Sequence, residues 1–139
     1  MSNPKFNFLE VGTLLPNLVV PPLNRTMLAL YAGASGDHVP LHIDIDFARK
    51  AGMPDVFGHG MLTVAWLSRM LTGWVSQHLI RKIDVRFISI THLCNEVTCS
   101  GRVFEKLEQD GEHLVRVEIQ ACNQYGDKKV VGEALIALP

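Results

Sequence analysis

Gly60-Met61-Leu62-Thr63-Val64-Ala65-Trp66-Leu67-Ser68-Arg69-Met70-Leu71-Thr72-Gly73-Trp74-Val75-Ser76-Gln77 is the stretch whose pattern decides the fold. Wound at helical periodicity, its apolar residues cover nearly the whole circumference. A helix apolar on almost every side belongs inside a protein rather than on its surface. At 1.5 Å per residue it would run roughly 27 Å, about the span of a small domain. Trp66 and Trp74, eight positions apart on one helical stripe, read as core rather than as a ligand cage.

Downstream of this helix the pattern changes to four strands, near Ile83–Ile90, Glu96–Phe104, His113–Ala121 and Val130–Leu138. Turn-rich pieces such as Glu108-Gln109-Asp110-Gly111 and Gln124-Tyr125-Gly126-Asp127 separate them, and Leu114, Val115, Val117 and Ile119 supply typical strand content. Upstream, Leu18-Val19-Val20 suits a short first strand that Pro21 and Pro22 stop. Asn24 or Thr26 can cap a helix through Ala34, with Met27, Leu30 and Tyr31 at helical spacing. Asp44 or Asp46 can cap a second, short helix through Lys50, which Gly52 would end. Helices first and strands afterwards indicate an α+β domain over residues 1–139, with an antiparallel sheet wrapped around one long central helix. That architecture is the hot-dog fold. A single copy leaves an exposed edge strand, so a homodimer is expected to cover it.

The composition narrows the function. With 139 residues, a net charge of −1 and 47% hydrophobic residues, the chain reads as one soluble globular unit. No basic patch points to nucleic acid. The apolar run from Leu14 to Leu23 is interrupted by Pro16, Asn17, Pro21 and Pro22 and has no secretory pattern, so no membrane partner is expected and the cytoplasm is the default compartment. Cys94, Cys99 and Cys122 are odd in number, lack metal spacing and sit among strand-like neighbours, which suits reduced and mostly buried thiols. His78, His92 and His113 are scattered without ligand spacing, so no metal site is expected.

The residues that carry chemistry lie in two places. In Ser35-Gly36-Asp37-His38-Val39-Pro40-Leu41-His42, Pro40 pushes Val39 into an extended conformation and Gly36 lets the chain turn, so Asp37 to His42 should form a stiff, non-helical loop. A carboxylate and an imidazole held in that way can contact one water. Imidazole titrates closest to neutrality of all side chains, which makes His42 the candidate base, while Asp37 can orient the water or deliver a proton. The second place is Gly58-His59-Gly60. The first N–H groups of a helix have no internal partner and lie at the positive end of its dipole, so the Gly60 N–H is the candidate donor to a developing oxyanion. Of the neighbouring residues, Val39, His59 and Ser68 are placed around the substrate. His59 is expected to bond backbone and support the loop, Ser68 to offer a hydroxyl, and His38 to lie at the rim. Arg81, Lys82 and Arg86 are candidate phosphate contacts at the mouth.

At these residues the chain resembles the MaoC-like dehydratase family, which includes the R-specific enoyl-CoA hydratases. Tyr31, Ala32, Ser35, Gly36, Asp37, Pro40, Leu41 and His42 match the first part of the family pattern, and His59, Gly60, Met61 and Leu62 match the second. Val85-Arg86-Phe87 is similar to the strand that follows the family's helix. Where the pattern has Asn, this chain has Val39. The resemblance implies a hot-dog dimer that hydrates a trans-2-enoyl thioester of coenzyme A or acyl-carrier protein to the R-3-hydroxyacyl thioester, or runs the reverse, with no metal or redox cofactor. A thioesterase on the same fold is the second enzymatic reading, although Gly60 to Gln77 contains neither Asp nor Glu. The third is a non-catalytic acyl-binding or partner subunit.

Overall fold

The computed structural model describes residues 3–139. Three helices precede the main sheet: α1 (Arg25–Ser35), α2 (Ile45–Lys50) and α3 (Gly60–Trp74). The strands are β1 (Leu18–Val19), β2 (Ile80–Phe87), β3 (Thr98–Gln109), β4 (Glu112–Cys122) and β5 (Lys128–Ala137). They form one antiparallel sheet in the order β1-β3-β4-β5-β2, which leaves β1 and β2 as its edges. The sheet curls around α3, and Leu67 and Leu71 of that helix are fully buried against Val103, Val117, Ile119 and Ile136. This is the expected hot-dog architecture.

Local chemistry explains where the elements begin. Asn24 Oδ1 accepts from the Met27 N–H at 2.9 Å and so caps α1. Asp44 Oδ1 accepts from Asp46 N–H and Phe47 N–H at 2.9 and 3.2 Å and caps α2. Between β3 and β4 the chain reverses through Asp110-Gly111, both at positive φ (53° and 79°). That pairing gives the tight two-residue hairpin turn whose twist matches the strands it joins. β3 therefore continues five residues past its expected end at Phe104.

Five expectations change. Helix α3 stops at Trp74 because Val75 is extended and buried, and Asn3 Oδ1 accepts from the Ser76 N–H at 2.8 Å. It is not buried on every side: Met61, Ala65, Arg69 and Thr72 form an exposed stripe, since one curled sheet wraps only part of its circumference. On α1 the buried positions are Leu28 and Ala32, and Leu30 points outward. Strand β2 begins at Ile80 and ends at Phe87, so Ile88 to Ile90 lie outside the sheet. The cysteines are free as expected, but Cys94 is exposed in a turn at φ 67° rather than buried in a strand.

Candidate active site

The Ser35–His42 segment is built by short-range hydrogen bonds. Gly36 ends α1 in the left-handed region at φ 76°, which glycine adopts without steric cost. Ser35 Oγ donates to the Tyr31 carbonyl at 2.7 Å and accepts from the Asp37 N–H at 3.1 Å. Asp37 Oδ1 accepts from the Val39 N–H at 3.2 Å, and the Val39 carbonyl accepts from the His42 N–H at 3.0 Å. Position 39 thus contributes only backbone groups to the turn, which holds its shape with an apolar side chain there. Pro40–His42 is one 3-10 turn, against the expectation of a non-helical loop. Proline's fixed φ suits the first position of such a turn, and only Val39 before it is held extended.

His42 is fixed from the other side by the chain entering α3. Its Nδ1 lies 2.7 Å from the Phe57 carbonyl oxygen. A carbonyl can only accept, so Nδ1 carries the proton and Nε2 is left as the free base. The Phe57 ring meets the imidazole edge-on at 5.1 Å. The segment before α3 is anchored in turn by Gly58 N–H to the Thr91 carbonyl at 2.8 Å. Buried Lys129 donates from Nζ to the Ile90 carbonyl at 2.9 Å and so holds that supporting strap.

His59, 1% exposed, lies beneath the pair. Its Nε2 is 3.1 Å from the Asp37 carbonyl oxygen, and its ring stacks on His42 with centroids 4.0 Å apart and planes 27° apart. Desolvation lowers its pKa below the ordinary 6.5, and proximity to His42 lowers it further, against the opposing pull of the Asp37 carbonyl and carboxylate. Tyr31 packs edge-on to the same ring at 4.8 Å, and burial followed by the Asp37 charge raises its hydroxyl pKa.

Asp37, His42 and His59 each bring a ligating atom within 4.8 Å of the others. Three such donors suit a metal in number. Their commitments do not, because His42 Nδ1 and His59 Nε2 already serve carbonyls and stacked rings do not aim their remaining lone pairs at a common point. The same spacing between the Asp37 carboxylate and the His42 imidazole leaves room for one bridging water. Gly60 opens α3 next to His59, and a Cβ built on it would lie 2.9 Å from the Phe87 ring. The helix start is therefore covered by an aromatic ring that is itself 53% exposed.

Of the residues expected from the sequence, Asp37, His42, His59 and Gly60 come together, and Val39 stands at the edge, 45% exposed. Ser68 does not join them. It lies two turns along α3, roughly 12 Å from Gly60, in a groove of about 520 Å³ shared with Arg69, Thr72, Gln77, Ile80 and Ile83. His38 is exposed. Of the three candidate phosphate contacts, Arg81 is paired with Glu112 and Lys82 with Asp84, whereas Arg86 has no carboxylate partner among the described residues. Two contributors were missing from the sequence reading: the Phe57 carbonyl, which no residue type announces, and Phe87, whose place in a Val-Arg-Phe strand pattern was the available signal.

A curled five-stranded sheet around one helix, with an aspartate and a histidine gathered beside the helix start, defines a hot-dog protein of the dehydratase and hydratase class. The chain belongs to the MaoC-like domain family, whose model matches residues 16–124. It is similar in structure to the R-hydratase PhaJ1 from Pseudomonas aeruginosa, with a TM-score of 0.86 and 28% identity over 99% of this chain and 86% of that one. A mitochondrial 3-hydroxyacyl-[acyl-carrier-protein] dehydratase from Arabidopsis thaliana is 26% identical over 132 residues, 94% of this chain and 78% of that protein. The fatty acid synthase beta subunit TOXC of Cochliobolus carbonum is 31% identical over 112 residues, 76% of this chain, but the chain spans only 5% of that subunit. Among the described residues no helix is long and apolar enough to cross a membrane.

Proposed function

We propose that the protein adds water reversibly to a trans-2-enoyl thioester, giving the R-3-hydroxyacyl thioester. The carrying observation is the Asp37–His42 pair, spaced for one water and placed next to the start of α3. Water held between the carboxylate and the His42 Nε2 gives up a proton to Nε2 as its oxygen bonds C3. The π electrons move toward the thioester, whose oxygen takes on enolate character and is held by the Gly60 N–H at the positive end of α3. A proton delivered by the pair to C2 then completes the addition, with no call for a metal or redox cofactor. The R stereochemistry and the acyl-thioester substrate are carried over from the similar R-hydratase and 3-hydroxyacyl dehydratase.

In this reading Val39 bounds the reacting end and Ser68 meets the acyl chain along the exposed stripe of α3, with coenzyme A or carrier protein as the thiol. A second copy of the chain completes the site, since Val39, Met61, Phe87 and Ile88 leave the rim apolar and exposed. Crotonyl-CoA hydration, followed by loss of enoyl absorbance, tests the assignment. Asp37→Asn and His42→Ala should each lower kcat by about 100-fold or more, the scale of acid–base catalysis. Full activity in both variants would overturn it. Release of free thiol without hydration would indicate a thioesterase, and tight thioester binding without turnover a partner subunit.

A further inference from the structure

We propose that His59 is the positioning residue of the pair, fixing Asp37 through its backbone and His42 through the face of its ring. The inference rests on the hydration reading for its kinetic consequences and on geometry alone for its structural ones. His59 is 1% exposed, so it does not meet the substrate. Both reacting residues are attached to it: the Asp37 carbonyl accepts from Nε2 at 3.1 Å, and the His42 ring lies 4.0 Å above its own.

The remaining nitrogen supports this role. His59 Nδ1 is buried and has no hydrogen-bond partner among the described residues. An orphaned buried acceptor costs free energy that a leucine or methionine filling the same space would avoid. What the imidazole gives in exchange is the Nε2–H bond to Asp37 together with a flat surface for His42. Charge state matters as well. The titratable groups facing His59 are Tyr31 from α1 and Asp37 and His42 from the loop, and burial favours its neutral form. A cation at His59 would oppose protonation of the ring stacked on it, the step His42 has to perform.

Two variants separate positioning from filling. His59→Gln keeps an N–H donor near the place of Nε2, whereas His59→Leu keeps only bulk. With crotonyl-CoA as substrate and His42→Ala as the dead control, His59→Leu should lose about 100-fold in kcat with KM changed by less than about 3-fold, and His59→Gln should return to within about 5-fold of the parent. His59→Leu within about 3-fold of the parent, or His59→Gln no better than His59→Leu, would overturn the proposal. Should His59→Leu fail to fold by circular dichroism, imidazole 15N shifts of the parent protein decide. The expected result is an Nε2–H tautomer at His59 whose ring stays neutral to lower pH than an ordinary imidazole; an Nδ1–H tautomer or a charged ring at neutral pH would refute it. If the parent turns over no enoyl thioester while those shifts are as expected, the hydration reading fails and the placement of His59 stands.

Discussion

Burial outweighs the pull of the nearby Asp37 and makes the His59 imidazole more stable uncharged, and that preference has a consequence for the whole chain's stability. The folded state holds its pKa below the ordinary 6.5, so between the two values the unfolded state binds more protons. The stability carried by neutral His59 is therefore complete above about pH 6.5 and is lost as the pH falls toward the folded value. Thermal melts from pH 7.5 to 5 should show the parent losing Tm faster than His59→Gln, and parallel curves would contradict this. The cysteines give a second residue-scale prediction. Cys99 is fully buried, and desolvation pushes its thiol up to about 12, so it is neither accessible nor ionised. Cys94 is exposed in its turn. Mass spectrometry after brief iodoacetamide treatment should find Cys94 alkylated and Cys99 untouched until the protein is unfolded. At this scale Asp37 and His42 were legible because side chains announce chemistry. The Phe57 carbonyl that sets the His42 tautomer was not, because every residue has one.

Elements were legible where their signals are local. Asn24 and Asp44 cap the helices they precede, and Asp110-Gly111 turns the β3–β4 hairpin, each within a few residues of the signal. The end of α3 was not legible, because Asn3 captures Ser76 from 73 positions away. Two glycines separate close packing from chemistry. Gly132 on β5 pairs with Val85 on β2, and a Cβ there would fall onto the Asp84 carbonyl oxygen and the Val85 backbone. Backbone cannot swing aside, so Gly132→Ala should destabilise the protein by about 2–3 kcal/mol, read as a lower urea midpoint. A Cβ on Gly60 meets only the half-exposed Phe87 ring, which can rotate away. Gly60→Ala should therefore cost less than about 1 kcal/mol in the same urea melt. Its loss of crotonyl-CoA turnover should nevertheless be large, because the methyl group crowds the amide that is to meet the thioester oxygen.

The whole molecule has an unfinished side. Helix α3 reads as apolar all round, yet its Met61 is 55% exposed, and strand β2 has a partner, β5, on one edge only. Those two features adjoin, because Phe87 at the end of β2 covers Gly60 at the start of α3. An exposed strand edge beside apolar side chains invites pairing with another copy. A second copy joined edge to edge through β2 would remove water from the surface on which the thioester is proposed to lie. Such a copy would account for a helix patterned as if wholly buried in a chain that buries only part of it. A stable interface of this kind removes about 1,600 Å² in total from water. Sedimentation should give twice the chain mass of 15.4 kDa. Ile88→Lys with Ile90→Lys places two charges just beyond β2 without altering Asp37, His42 or Gly60. That double variant should sediment at the mass of one chain, keep its circular dichroism and lose hydration in parallel with dimer content across a dilution series. A parent protein that is monomeric at assay concentration and fully active would remove the second copy from the site.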